Sequence, residues 1–260
     1  MSYLTATHTK TVLDGKISDS LPPETLTHLY VYQEIHVLDG IPLLMNTTME
    51  MLGCAFSGLF GGRFPLTQQQ MIKDINELLT ANRFDMGSFW LRVFASPDNY
   101  MLMIEKQIVY RGPVLWHARP RATIINYNDP LVPYPTTALL QSVNHADFIA
   151  VNNGYDMALQ RTPNGILYAP FPLIGVWNGV CYMAPLDHGG IDSPWRQAAF
   201  SLFVAAGIDL KEEPLDPLVE YDELLYICPL GIVSLKSVGD RLLFNSYANR
   251  LAVYIQKVVV

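Results

Sequence analysis

Few residues in this chain have types and spacing that could do chemistry. Cysteines stand at Cys54, Cys181 and Cys228. Metal sites draw on closer pairs and disulfide frameworks on more cysteines, so this set predicts reduced, buried thiols in a cytoplasmic protein. His188 follows Asp187 in "LDHGG", a pair suited to a general base or to half of a metal site, but no second histidine lies at ligand spacing. Ser193, Ser201 and Cys181 lack a nucleophile-elbow context. Arg119 and Arg121 in "HARPRA" fit solvated arginines on a strand, and Met45, Met49 and Met51 fit core packing.

Bulk properties set the frame for these residues. Half of the 260 residues are hydrophobic and 16% are charged, as in a well-buried globular protein or an oligomer. The net charge is −7, and no basic stripe with interleaved aromatics points to nucleic acid. No apolar run reaches the roughly 20 residues that span a bilayer. The opening "MSYLTATHTKTVLDG" lacks the apolar core of a signal peptide. The expectation is a soluble protein with no membrane partner.

Hydrophobic periodicity predicts a mixed α/β first half. "HLYVYQEIHVL" reads as a strand ending at Asp39-Gly40, and "NTTMEMLGCAFSGL" as a helix. In "LTQQQMIKDINELLTANRF", Thr67 and Gln70 form a capping box ahead of Met71, Ile75, Leu78 and Leu79 at helical spacing. "SFWLRVFA", "YMLMIEKQIVY" and "RATIINY" read as strands. Pro120, Pro130, Pro133 and Pro135 mark a linker or crossover.

The helix in "YPTTALLQSVNHADFIAVNNGYDMAL" follows and stops at Asn153-Gly154, where glycine takes the left-handed conformation. Asn164-Gly165 and Asn178-Gly179 then turn two successive hairpins. "DSPWRQAAFSLFVAAGI" has Ser193 as N-cap, Pro194 at the first helical position and Gly207 at its end. "DPLVEYDELLYIC" reads as a short helix and a strand, and "SYANRLAVYIQKVV" as a last helix. The division is an N-terminal α/β lobe, 1–118, a linker or crossover, 119–135, and a C-terminal α/β lobe with antiparallel hairpins, 136–260.

From Thr136 onward, "NNGYDMAL", "PNGILYA" and "NGVCYMAPLDHGGIDSPWRQAAFSLFVAAGIDLKEEPL" follow a known order of elements. The chain resembles the class IV aminotransferases, the fold-type IV pyridoxal-phosphate enzymes, which include branched-chain and D-amino-acid aminotransferases and aminodeoxychorismate lyase. "YDELLYICPLGIVSLKSV" matches the family's closing strand. "VYQEIHVLDGIPLLMNTTMEML" matches more loosely the strand, Asp-Gly turn and His-x-x-Arg-Leu helix of its first lobe. The resemblance implies a two-lobe α/β fold, a homodimer and a ligand cleft between the lobes.

Family chemistry needs a lysine that holds the cofactor as a Schiff base and moves the substrate's proton. The resemblance puts that position at Thr136, and no lysine lies between Lys106 and Lys211. Lys236, near the closing strand, is the displaced alternative. The carboxylate that pairs with the ring nitrogen falls at Ala169, and no glutamate lies between Glu105 and Glu212. The phosphate-binding His-x-x-Arg falls at Thr48 and Met51. The Gly-Ile-Thr-Arg loop falls on "SPWR", which puts Trp195 at the threonine and keeps Arg196. The second phosphate loop falls on Cys228 to Leu230. Pro194 at the helix start removes one backbone N–H that an anion could use.

Three functions stay open on these residues. The first is a relative that has lost pyridoxal-phosphate catalysis, acting as a homodimer or with an active relative. The second is a binder or enzyme reusing the inter-lobe cleft for another small molecule, with Tyr32, Arg92, Trp177 and Trp195 as lining. Arg92 stands where some relatives bind a carboxylate, and a strand-end salt bridge is its other reading. The third is a working aminotransferase or lyase with a displaced lysine.

Overall fold

The apolar run from Val31 to Leu38 pairs along its length with Ser88–Ala95, and this ladder is the centre of the first of two units, residues 1–112. The computed structural model describes residues 10–19, 28–84, 86–109, 112–126, 134–169 and 171–259. In the first unit, β1 (Thr11–Leu13) turns into β2 (Lys16–Ser18) through Asp14 and Gly15, at φ of 47° and 73°. Two successive positive-φ residues give the turn whose twist suits a hairpin. This hairpin is absent from the elements expected above. β3 (Val31–Leu38) turns at Asp39-Gly40 into β4 (Ile41–Pro42). After helices α1 (Met45–Phe60) and α2 (Gln68–Ala81), β5 (Ser88–Ala95) and β6 (Tyr100–Ile108) complete an antiparallel sheet of order β2-β1-β6-β5-β3-β4.

Thr67 caps α2, its hydroxyl accepting the Gln70 N–H at 3.2 Å. The reciprocal half of the expected capping box is replaced, because Gln70 Nε2 reaches forward to buried Asp74 at 2.8 Å. Tyr100 donates to the other Asp74 oxygen at 2.8 Å. A buried carboxylate needs such donors, and this need overrides the local motif.

The second unit, residues 113–259, holds two sheets. β7 (Val114–Leu115) precedes β8 (Arg121–Asn126), the strand expected at "RATIINY", which lies within the segment expected to be a linker or crossover. Residues 127–133, with Pro130 and Pro133, lie outside the described residues. After helix α3 (Thr137–Asn152) come β9 (Met157–Thr162), β10 (Gly165–Leu167), β11 (Leu173–Trp177) and β12 (Val180–Met183). Helix α4 (Pro194–Ala206) leads to β13 (Leu210–Glu212), β14 (Glu223–Cys228), β15 (Gly231–Ser234), β16 (Ser237–Val238) and β17 (Arg241–Leu242). The sheet orders are β10-β9-β8-β16-β17 and β13-β12-β11-β14-β15-β7. Parallel pairs β8–β9, β8–β16, β12–β13 and β15–β7 stand among antiparallel hairpins, as an α/β fold with long crossovers requires.

Asn178 and Gly179, at φ of 49° and 77°, turn β11 into β12, as their types predict. Two expected helices differ. Residues 216–219 form a turn in place of a short helix, with Asp216 Oδ1 accepting the Leu218 N–H at 2.8 Å. Pro214, Pro217 and the aspartate's local hydrogen bond favour the turn. The last helix is two pieces, α5 (Ser246–Ala252) and α6 (Ile255–Val259), separated by a turn in which Tyr254 N–H bonds Leu251 O at 2.9 Å.

Candidate functional site

In the first unit, strand alternation puts Tyr32, Glu34 and His36 of β3 on the same sheet face as Trp90, Arg92 and Phe94 of β5. Glu34 is the direct cross-strand partner of Arg92. Its Oε1 accepts Arg92 Nε at 2.8 Å and lies 2.8 Å from Nη2. Its Oε2 accepts the Trp90 indole N–H. The β5–β6 register steps from Leu91–Ile104 to Trp90–Lys106, which leaves Glu105 in a bulge. Glu105 Oε1 accepts Arg92 Nη1 at 2.6 Å. The guanidinium also lies 5.5 Å from the Tyr32 ring centroid and 5.8 Å from that of Phe94.

Arg92 is therefore a mid-strand cation held by two carboxylates. Burial works against its charge, and Glu34 and Glu105 hold it protonated. Burial pushes the Glu34 carboxyl up to about 7, against the pull of Arg92. The sequence reading missed both carboxylates, which lie on other strands. On the same face, fully buried His36 shares a 2.6 Å hydrogen bond between Nε2 and Ser88 Oγ, while Nδ1 has no hydrogen-bond partner among the described residues. Burial lowers the His36 pKa to about 4.

Thr48 and Met51 lie buried on α1. The Thr48 hydroxyl donates to Leu44 O at 2.9 Å, a bond within its own chain turn that occupies its one proton.

In the second unit, Thr136 is extended (φ −119°, ψ 160°) and is the N-cap of α3. Its hydroxyl accepts the Leu139 N–H at 3.3 Å, and the residue is 0% exposed. Threonine is a strong cap, and this role for Thr136 was open to sequence reasoning from its place before a helical run. Leu139 and Val143 of α3 pack with Ala169 and Ile191 in one apolar cluster. The Ala169 N–H donates to Oε1 of buried Gln160 at 3.0 Å.

Ala169, Gly190, Ile191 and Arg196 line one cavity of about 20 Å³. That holds about one water, whereas ligand pockets span about 300–1,000 Å³. Arg196 is 4% exposed, with Nη1 donating to Ala184 O at 2.7 Å and Nη2 to the Glu212 carboxylate. A Cβ on Gly190 would stand 2.7 Å from Ala184 O and 3.0 Å from Arg196 Nη1, so glycine lets the guanidinium reach that carbonyl. Ser193 caps α4 by accepting the Arg196 N–H at 3.3 Å, and Trp195 in its first turn is 1% exposed. Cys228 is buried at the end of β14, facing Gly231 across a two-residue turn.

The structure thus gathers Ala169 and Arg196 at one cavity, with Thr136 capping the helix that packs beside it. Tyr32 and Arg92 meet in the first unit. Cys181 and Cys228 are buried outside any disulfide, whereas Cys54 is exposed on α1, contrary to the expectation for it. Arg119 is not a solvated arginine: its Nη2 donates to the carbonyls of Leu235, Leu243 and Phe244 at 2.6, 2.8 and 2.8 Å. Arg121 is half exposed and pairs with Asp156 at 3.2 Å. Asp187 and His188 form an exposed pair at 3.0 Å. Among the described residues no His/Cys/Asp/Glu group is placed to hold a metal ion, and no helix is long and apolar enough to cross a membrane.

No protein-family model and no curated protein matches the chain. Solved structures do match. The branched-chain aminotransferase of the archaeon Thermoproteus uzoniensis, solved with norvaline, is 19% identical, covering 96% of this chain and 94% of that one at a TM-score of 0.80. The Escherichia coli branched-chain amino acid aminotransferase is 15% identical over 96% of this chain and 94% of that one, TM-score 0.78. The pyridoxal-phosphate form of the enzyme from Thermobaculum terrenum is 14% identical over 97% and 94%, TM-score 0.77. At these identities the likeness is one of fold. The chain has the fold of the class IV aminotransferases, the one its sequence resembles.

Proposed function

We propose that this chain keeps the class IV aminotransferase fold without its pyridoxal-phosphate chemistry. It works instead by binding a small molecule or another protein, as a homodimer or as the partner of an active relative. The observation that carries this reading is the buried Thr136 hydroxyl, spent on the cap of α3 where the resemblance places the cofactor lysine. A hydroxyl cannot replace an amine as a covalent anchor.

The neighbouring residues support the same reading. Ala169, at the place of the ring-nitrogen carboxylate, lies in an apolar cluster. Arg196 spends two of its five N–H donors on Ala184 O and Glu212, and the Glu212 carboxylate offsets the charge a phosphate would need. The cavity these residues line has room for about one water. Taken together, the residues at these positions do not fit pyridoxal phosphate.

A displaced lysine would have to be desolvated to offer a neutral amine near pH 7. All seven lysines are at least partly exposed, and Lys236 is among the exposed ones. The reading also assigns the protein to the cytoplasm, where three thiols outside any disulfide persist.

The test is exchange of the α-proton of amino acids in deuterated water, followed by NMR with the protein and added pyridoxal phosphate. No exchange above that with free pyridoxal phosphate is expected. Protein-dependent exchange that disappears on heat denaturation overturns the proposal.

A further inference from the structure

We infer that a groove beside α1 in the first unit binds a small zwitterion with an apolar body. The groove has a volume of about 380 Å³, within the range of ligand pockets. Thr48 and Met51 of the same helix are not among its lining residues, and the inference does not depend on the reading of the second unit.

Gly53 lines this groove from inside α1. Glycine weakens a helix interior relative to alanine, so its presence usually answers a positive φ or a close neighbour. Neither applies here, because Gly53 is helical and a Cβ on it would meet nothing within 4 Å. What the missing side chain does is keep the groove wall open.

Glu50 and Arg63 line the same groove and are exposed. Neither makes a hydrogen bond or ion pair with the other or with any described residue. Two free charges of opposite sign in one groove suit a ligand that carries an ammonium and a carboxylate. The same lining includes apolar side chains: Phe64 is buried, and Met49 and Leu66 are half-buried. Apolar lining with a few charged groups that fix orientation is the usual composition of a small-molecule site.

The test is titration of the full chain with L-phenylalanine, followed by amide chemical shifts, beside phenethylamine and 3-phenylpropionate, which each lack one charge. Saturable shifts confined to residues 49–66 are expected, with each singly charged analogue at least about tenfold weaker. Arg63→Gln should weaken 3-phenylpropionate and leave phenethylamine unchanged, Glu50→Gln should do the converse, and Gly53→Leu should abolish binding. The Glu50→Gln/Arg63→Gln pair lies on the exposed surface and answers the question even if Gly53→Leu misfolds. Three results overturn the proposal. One is no saturable shift up to about 10 mM. Another is binding unaltered by these variants. The third is a dimer that dissociates in Gly53→Leu, which assigns the groove to a second copy of the chain.

Discussion

The Thr136 hydroxyl accepts the Leu139 N–H at 3.3 Å, and both residues are buried. One residue therefore starts α3 at the position where the sequence resemblance puts the family's reactive amine. Thr136→Ser keeps the cap and should be nearly neutral. Thr136→Ala should cost about 1 kcal/mol. Thr136→Lys loses the cap and buries an unpaired ammonium, so it should cost about 3 kcal/mol or more. Urea denaturation of the three variants checks this order.

The two partners of Arg196 differ in burial, and its variants should differ in cost. Removing the guanidinium leaves Ala184 O buried without its donor, so Arg196→Ala should lose about 3 kcal/mol. Glu212 has a half-exposed side chain, so Glu212→Gln should lose about 1 kcal/mol or less. Equal losses in denaturation midpoints would contradict the assigned geometry.

How legible was this in the sequence? Elements with local chemistry were: Ser193, Pro194 and Gly207 bound α4, and Asn178-Gly179 turns its hairpin, because caps and turns are settled within a few residues. The Asp14-Gly15 hairpin carried the same signal and went unread. The clamp on Arg92 was not legible, since Glu34 and Glu105 reach it only through strand pairing and a bulge. At the candidate site Thr136 and Ala169 are singled out by resemblance alone. The commitment of Arg196 to Ala184 O and Glu212 depends on tertiary packing.

Arg92 and Glu34 should be strongly coupled. Arg92→Met leaves Glu34 and Glu105 without their shared cation and should cost about 3–5 kcal/mol. Adding Glu34→Gln should recover part of that loss, giving a coupling of about 2 kcal/mol in a double-mutant cycle. Additive losses would mean that Arg92 is anchored by something other than this pair.

His36 and Asp147 give opposite pH dependences. Burial lowers the His36 pKa from 6.5 to about 4, so its contribution is fully present above pH 6.5 and is lost as pH falls toward 4. Burial raises the Asp147 pKa from 3.8 to about 6, so its contribution is present below pH 3.8 and is lost as pH rises through 6. Asp147→Asn retains an acceptor for the Ala158 N–H and removes the second dependence. Its unfolding free energy should fall more steeply than that of the unaltered protein between pH 6 and 4, by about 1–2 kcal/mol. Parallel pH profiles would rule out the contribution of Asp147.

The central claim is that the second unit offers pyridoxal phosphate no covalent anchor. Its most direct test is to mix the purified protein with pyridoxal phosphate, record the visible absorption spectrum, reduce with borohydride and map any adduct by peptide mass spectrometry. The account predicts the spectrum of free pyridoxal phosphate and no single labelled lysine. A protein-bound absorption band together with stoichiometric labelling of one lysine, Lys236 or another, would contradict it.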